Sequence, residues 1–145
     1  MRARTPLVPL LVACVTAPAG AQVSSVTGPP KALDPKVAAG LVADMTADLK
    51  ALATAQKGWF AEHDRYGERL SRTDARAVVL DPRPGVTVSL VYATTSSFAA
   101  RATHDWLPGR SCVMTVGAVP PSRLPRTTAG RLAPTRDGEP VCDRP

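Results

Sequence analysis

Aromatic residues are scarce in this 145-residue chain, which holds two tryptophans, two tyrosines and two phenylalanines. A domain of that length has a modest core, so a helix must supply much of its burial. Histidine is as sparse: His63 and His104 fall in different predicted elements. No HExxH pair, no phosphate-cradling glycine loop and no zinc-type cysteine spacing is present. Ser96, Ser97 and Ser111 have no nucleophile elbow around them. Internal repeats, heptads and long charge runs are missing too. These absences argue against the common hydrolase and nucleotide-dependent classes. No cofactor or metal is implied, and the chain reads as non-enzymatic.

The polar clusters that remain have plain structural readings. Glu62, His63 and Asp64 could be drawn as a metal or acid–base group, but they read as the solvated end of a helix. Thr103, His104 and Asp105 sit side by side on a predicted strand, where neighbours point to opposite faces. His104 shares a face with Phe98 and reads as a core histidine with a hydrogen-bond partner.

What is present begins with an export signal. Arg2 and Arg4 precede a mostly apolar run from Pro6 to Val15, and Ala19-Gly-Ala21 supplies the small residues of a cleavage site. Cutting between Ala21 and Gln22 defines residues 1–21 as a signal peptide. Pro6, Pro9 and Pro18 break a run already shorter than the about 20 residues of a spanning helix. A second reading takes Leu11-Val-Ala-Cys14 as a lipoprotein site, with acylation of Cys14 as the tether to a membrane. Either way the protein is exported, to the periplasm or the cell exterior. Removing the signal takes two arginines and no acid, so the formal charge drops from +6 to +4, sixteen basic side chains against twelve acidic. It also leaves Cys112 and Cys142, which an oxidising compartment would pair. The loop they close constrains the unfolded chain by about 3–4 kcal/mol on the chain-entropy model.

Residues 22–33 read as a flexible leader, and residues 34–145 as one α+β domain. Asp34 and Pro35 open a helix running to about Glu62. Val37, Leu41, Met45, Leu49, Leu52 and Phe60 form its apolar stripe, with Gln56 filling the remaining turn. Asp44, Lys50 and Lys57 read as solvated. Gly67 would end the turn with a positive φ. Residues 68–76 read as a loop, and Ala77–Leu80 as a short strand. Val86–Ala93, Phe98–His104 and Ser111–Gly117 alternate as strands joined by short polar turns, which favours an antiparallel meander. The expected architecture is one amphipathic helix on a three- or four-stranded sheet. The proline- and arginine-rich tail from Val119 would be poorly ordered alone, and Cys142 would pin its far end.

The run Asp48-Leu-Lys-Ala-Leu-Ala-Thr-Ala-Gln56, followed by Trp59-Phe60 and Tyr66, resembles the helix-to-head junction of type IV pilins and pseudopilins. Pro84-Gly-Val-Thr-Val88, Ala102-Thr-His104, Leu107-Pro-Gly109 and the late pair Cys112 and Cys142 continue the likeness, which covers about Lys36 to Cys142. The family's short basic leader, processing-site glycine and following apolar helix have no counterpart here. The resemblance therefore implies a pilin-like head that acts by contact with pilus, secretion or other envelope proteins. It does not imply polymerisation through a hydrophobic helix.

Two features could mark a partner surface. Trp106, in the turn before Pro108-Gly109, reads as partly exposed, whereas Trp59 reads as wrapping the core edge. Arg72, Arg76, Arg101 and Arg123 belong to basic groups before, within and after the sheet. If the tail folds back, these could form one face, the electrostatic minimum for a nucleic-acid-binding head of the kind used in DNA uptake. Interspersed acids and the lack of a stacking series weigh against that alternative.

Overall fold

The computed structural model describes residues 33–145. The expected export signal, the expected Ala21–Gln22 cleavage site, Cys14 and all but the last residue of the expected leader lie outside the described residues.

Helix α1 runs from Pro35 to His63. Asp34 caps it, its carboxylate accepting the Lys36 N–H at 2.7 Å, and Pro35 sits in the first turn, where no N–H is needed. The stripe that meets the sheet is Ala38, Leu41, Met45, Leu49, Leu52 and Gln56. Two expected members fall off it: Val37 is 46% exposed and Phe60 36%. The three- and four-residue spacing continues through small Ala38 rather than large Val37. Phe60 leans instead on Tyr66, ring centroids 5.0 Å apart. Asp44 is half-buried rather than solvated and pairs with Arg83 at 3.5 Å.

The helix ends at Asp64, which takes the left-handed conformation (φ 54°) and donates its N–H to the Phe60 carbonyl at 2.8 Å. Gly67 was expected to do this and does something else. It is buried against Val78, and a Cβ there would run into the Val78 Cγ2 atom. Close approach, not a positive φ, requires glycine at this position.

Strands β1 (Leu70–Ser71) and β2 (Val78–Val79) pair in parallel as a small separate sheet. Strands β3 (Val86–Ala93), β4 (Phe98–His104), β5 (Ser111–Val116) and β6 (Val141–Cys142) form a four-stranded antiparallel sheet in that order. The meander matches the expected strands to within a residue. Register runs Val86↔His104 between β3 and β4, with a bulge between Leu90 and Tyr92, and Phe98↔Val116 between β4 and β5.

One face of the sheet packs on α1. Phe98, Ala100 and Ala102 of β4 and Cys112 and Met114 of β5 meet Met45, Leu49 and Leu52 in one buried cluster. Alanine at two of the three β4 positions lets the helix backbone come close. The other face of β5 is buried too, at Ser111, Val113 and Thr115. The C-terminal tail covers it. Thr128 donates through its N–H to the Ser111 hydroxyl at 2.8 Å, and Gly138 N–H reaches the Thr115 carbonyl at 2.7 Å. A single 3-10 turn, Pro121–Arg123, carries the chain out of β5 into this crossing. The tail is therefore a built layer, closed by β6.

Candidate functional site

Cys112 and Cys142 are bonded, the pairing expected from the sequence. The hydrogen bond from Asp143 N–H to the Ser111 carbonyl makes 111 and 143 a bonded pair, so Cys112 and Cys142 fall in a non-bonded pair. Such pairs bring the strands closest, and the two Cα atoms are 4.0 Å apart. Thr46 of α1 places its hydroxyl 3.3 Å from the Cys142 sulfur, so helix, β5 and β6 converge on this bridge.

Beside it lies the strongest electrostatic feature of the tail. The Asp143 carboxylate is buried and accepts N–H groups from Ser111 and Ala129, each at 3.0 Å, and from Gly130 at 2.6 Å. Burial alone would raise its pKa. The donors of Ala129 and Gly130, the Thr127 hydroxyl and Ser111 outweigh that and hold the carboxyl at about 2, below the ordinary 3.8. Asp143 thus gathers two distant chain segments, at Ser111 and at Thr127 to Gly130, around one negative charge.

A second organising carboxylate sits on α1. Asp48 is buried and accepts the Arg83 main-chain N–H at 2.9 Å while also meeting the Arg83 guanidinium. Arg83 bridges Asp44 one turn earlier, and so ties the Asp81–Gly85 connection to the helix. Gln56 plays the neutral counterpart. Its amide donates to the Gly67 carbonyl at 2.9 Å and accepts the Gly67 N–H at 2.8 Å, wholly inside the core.

The two histidines are engaged separately. His63 stacks on Trp59, ring centroids 3.9 Å apart, and its Nδ1 lies 3.0 Å from the Trp59 carbonyl. His104 is buried, and its Nδ1 accepts the Trp106 N–H at 3.1 Å, which places the ring proton of the neutral imidazole on Nε2. Its ring packs against Gly85 (φ 81°), where a Cβ would stand 2.8 Å from Cε1. No grouping of three metal-ligating side chains occurs among the described residues.

The expected partner-surface residues come from separate elements. Trp106 is 69% exposed in the β4–β5 turn, the most exposed large apolar side chain described, with its ring centroid 6.1 Å from that of His104. Arg72 and Arg76 lie exposed in and beside the β1–β2 connection, Arg72 paired with Asp81 at 3.3 Å. Arg123 is exposed at the end of the 3-10 turn. Arg101 points under the tail and donates to the Arg126 carbonyl at 3.0 Å, so its head group serves the fold. Arg69 and Arg136 are also paired, with Asp74 and Glu139. These ion pairs dilute the basic character the composition carries.

Asp48 and Asp143 escaped the sequence reading, which places Gln56 in the stripe without its bonds to Gly67. For Asp48 a signal existed, since it is a polar residue in step with the apolar stripe. No helix among the described residues is long and apolar enough to cross a membrane. No protein-family model, curated protein or solved structure matches this chain.

Proposed function

We propose that this is an exported, non-enzymatic, pilin-like domain that acts by protein–protein contact at the cell envelope, as a minor or accessory component of a type IV pilus or type II secretion apparatus. The observation that carries this reading is the joining of sequence and architecture. The Asp48–Gln56 run lies along a helix packed on an antiparallel meander, leads into the Trp59, Phe60 and Tyr66 turn, and is followed by a tail that a late disulfide closes. Trp106 supports a contact role. An aromatic side chain held in a short turn and left exposed has the makeup of an interface anchor.

The test is photo-crosslinking in the producing cells, with a photoreactive amino acid in place of Trp106. Adducts with an envelope protein are expected, and their absence at position 106 and at the exposed Arg72 and Arg123 positions would refute the reading. Intact mass of the protein from the envelope fraction reports its form. A chain starting at Gln22 and two hydrogens light is a free exported domain, and one starting at Cys14 with acyl chains is tethered. DNA binding that collapses between about 50 and 200 mM salt would instead favour the nucleic-acid reading.

A further inference from the structure

The two edges of the four-stranded sheet are treated differently. At β5 the edge is taken by β6 and locked by the disulfide. At β3 no further strand pairs among the described residues. The hydrogen-bond pattern identifies the residues presented there. The Gly85 carbonyl accepts the Asp105 N–H at 3.0 Å, which makes that pair a bonded one in the β3–β4 register. Bonded and non-bonded pairs alternate in an antiparallel ladder, so Thr87 and Ser89 turn their main-chain groups toward β4. Val86, Val88 and Leu90 turn theirs outward. Val86 spends its N–H on the Arg83 carbonyl at 3.0 Å, and the bulge after Leu90 ends the regular edge. Val88 and Leu90 are left presenting N–H and C=O groups beyond the sheet.

Strand β1 stands opposite. It accepts from β2 through the carbonyls of Arg69 (from Val78 N–H, 3.0 Å) and Ser71 (from Leu80 N–H, 2.9 Å). Alternation along a strand then points the N–H and C=O of Leu70 away from β2. Two adjoining grooves, about 280 and 490 Å³, run between β1 and β3. Both are lined by Leu70, Ser71 and Val88, and neither by Val78 or Val79 of β2. The grooves therefore lie where two strands in separate sheets present main-chain groups without bonding each other.

We infer that this trough is a docking slot for one extended segment of another polypeptide, which pairs with Val88 and Leu90 and completes the sheet at β3. The inference deepens the protein-contact reading and rests on it for its biological setting. The occupant's chemistry follows from the walls. Its main chain must be in β conformation, because backbone donors and acceptors are what the edge offers. It is a single segment, because β1 residues wall the same grooves opposite β3. Inward side chains meet Leu70, Leu80 and Pro82, so every second residue is apolar. At the middle of the rim Arg69 pairs with Asp74 and Arg72 with Asp81, each at 3.3 Å, so the middle of the segment is uncharged, whereas Glu68 at the end of the second groove is in no ion pair among the described residues. Contact from Val88 to Leu90 and across to Leu70 takes about four or five residues.

The test uses the oxidised protein and a panel of end-blocked heptapeptides alternating Val, Ile or Leu with Ser or Thr, read by amide hydrogen exchange and NMR titration. In the free protein the Val88 and Leu90 amides exchange quickly while those of Thr87 and Ser89 are protected. Binding peptides slow Val88 and Leu90 by about tenfold or more at saturation. Val88→Pro keeps the fold, because its N–H is outside the β3–β4 ladder, and abolishes binding; Ser89→Pro removes a ladder bond and unfolds the edge. N-methylating alternate peptide amides also abolishes binding, independently of any change to the protein. Protected Val88 and Leu90 amides in the free protein, or no peptide slowing them at millimolar concentration, would overturn the inference. So would unchanged binding by Val88→Pro. If envelope adducts at position 106 form equally with Val88→Pro, the slot is wrong and the contact reading stands. If peptides protect β3 and no envelope adduct forms, the reverse holds.

Discussion

Asp143→Asn isolates what one buried carboxylate does for the tail. A carboxyl whose pKa drops from 3.8 to about 2 on folding contributes about 2 kcal/mol of stability at neutral pH. Because the folded pKa is the lower one, that contribution is complete above about pH 4 and is lost as pH falls through about 2. Asparagine removes the charge and also turns an N–H₂ toward the converging donors. With its carbonyl kept on Ser111 and Ala129, the amide nitrogen faces the Gly130 N–H and leaves it unpaired. A buried donor without a partner costs about 1–3 kcal/mol, so the total loss should be about 3–5 kcal/mol. Urea unfolding of both proteins with the disulfide intact, followed by circular dichroism from pH 7 to pH 2, measures it. The gap between the curves should be full at pH 7 and narrow steadily between about pH 4 and 2. A gap below about 0.5 kcal/mol at neutral pH, or one that stays constant down to pH 2, would refute the account of Asp143 as the tail's anchor.

Other substitutions probe the remaining contacts. Gln56→Leu fills the same space but strands both main-chain groups of Gly67, and should cost about 2–4 kcal/mol in chemical denaturation. Gly67→Ala should cost about 1–3 kcal/mol by overpacking against Val78, and Val78→Ala should partly rescue it in a double-mutant cycle. Asp48→Ala should destabilise by about 2 kcal/mol or more, because it leaves the Arg83 main chain without its acceptor, whereas the half-exposed Asp44→Ala should stay within about 1 kcal/mol. Trp106→Ala should change stability by less than about 1 kcal/mol, and a loss of the about 3–5 kcal/mol seen for core aromatics would remove the case for an interface anchor.

The meander was legible because each strand alternates and each turn carries its own chemistry. Val86–Ala93 is opened by Pro84-Gly85, and Gly85 does take the positive φ such a turn needs. Helix α1 was legible for the same reason, from the Asp34 and Pro35 start and the repeat from Leu41 to Leu52. Errors arose where spacing permits two answers. Val37 and Ala38 both fit a three- or four-residue step to Leu41, and size favoured the wrong one. Gly67 lies in a turn, so conformational freedom explained it too easily; its real constraint is contact with Val78, eleven residues on. Strand β2 falls within the short strand expected at Ala77–Leu80, whereas β1 is two residues inside the arginine-rich stretch read as a loop, and its pairing is announced by no periodicity. Asp143 draws its donors from residues 111, 129 and 130, and only the folded tail brings those together.

The contrast between the sheet's edges ties these parts to function. Open edges invite unwanted pairing, and folds usually shorten, charge or cover them. Here the β5 edge receives all the available cover: a two-residue strand, a disulfide and the Asp143 anchor behind it. The β3 edge has eight residues and, among the described residues, receives a neighbour, β1, that stands beside it without bonding. Had β1 served simply to guard that edge, pairing with β3 would have been the direct solution. Instead β1 pairs with β2 on its far side and is held there by Val78, which Gly67 must be small enough to admit. Gly67 in turn is fixed to α1 by both arms of Gln56. The chain from Gln56 through Gly67 and Val78 to Leu70 thus holds the far wall of the trough in place. Gln56→Leu should therefore weaken peptide docking at β3 in proportion to its effect on β1, although Gln56 does not line the trough itself.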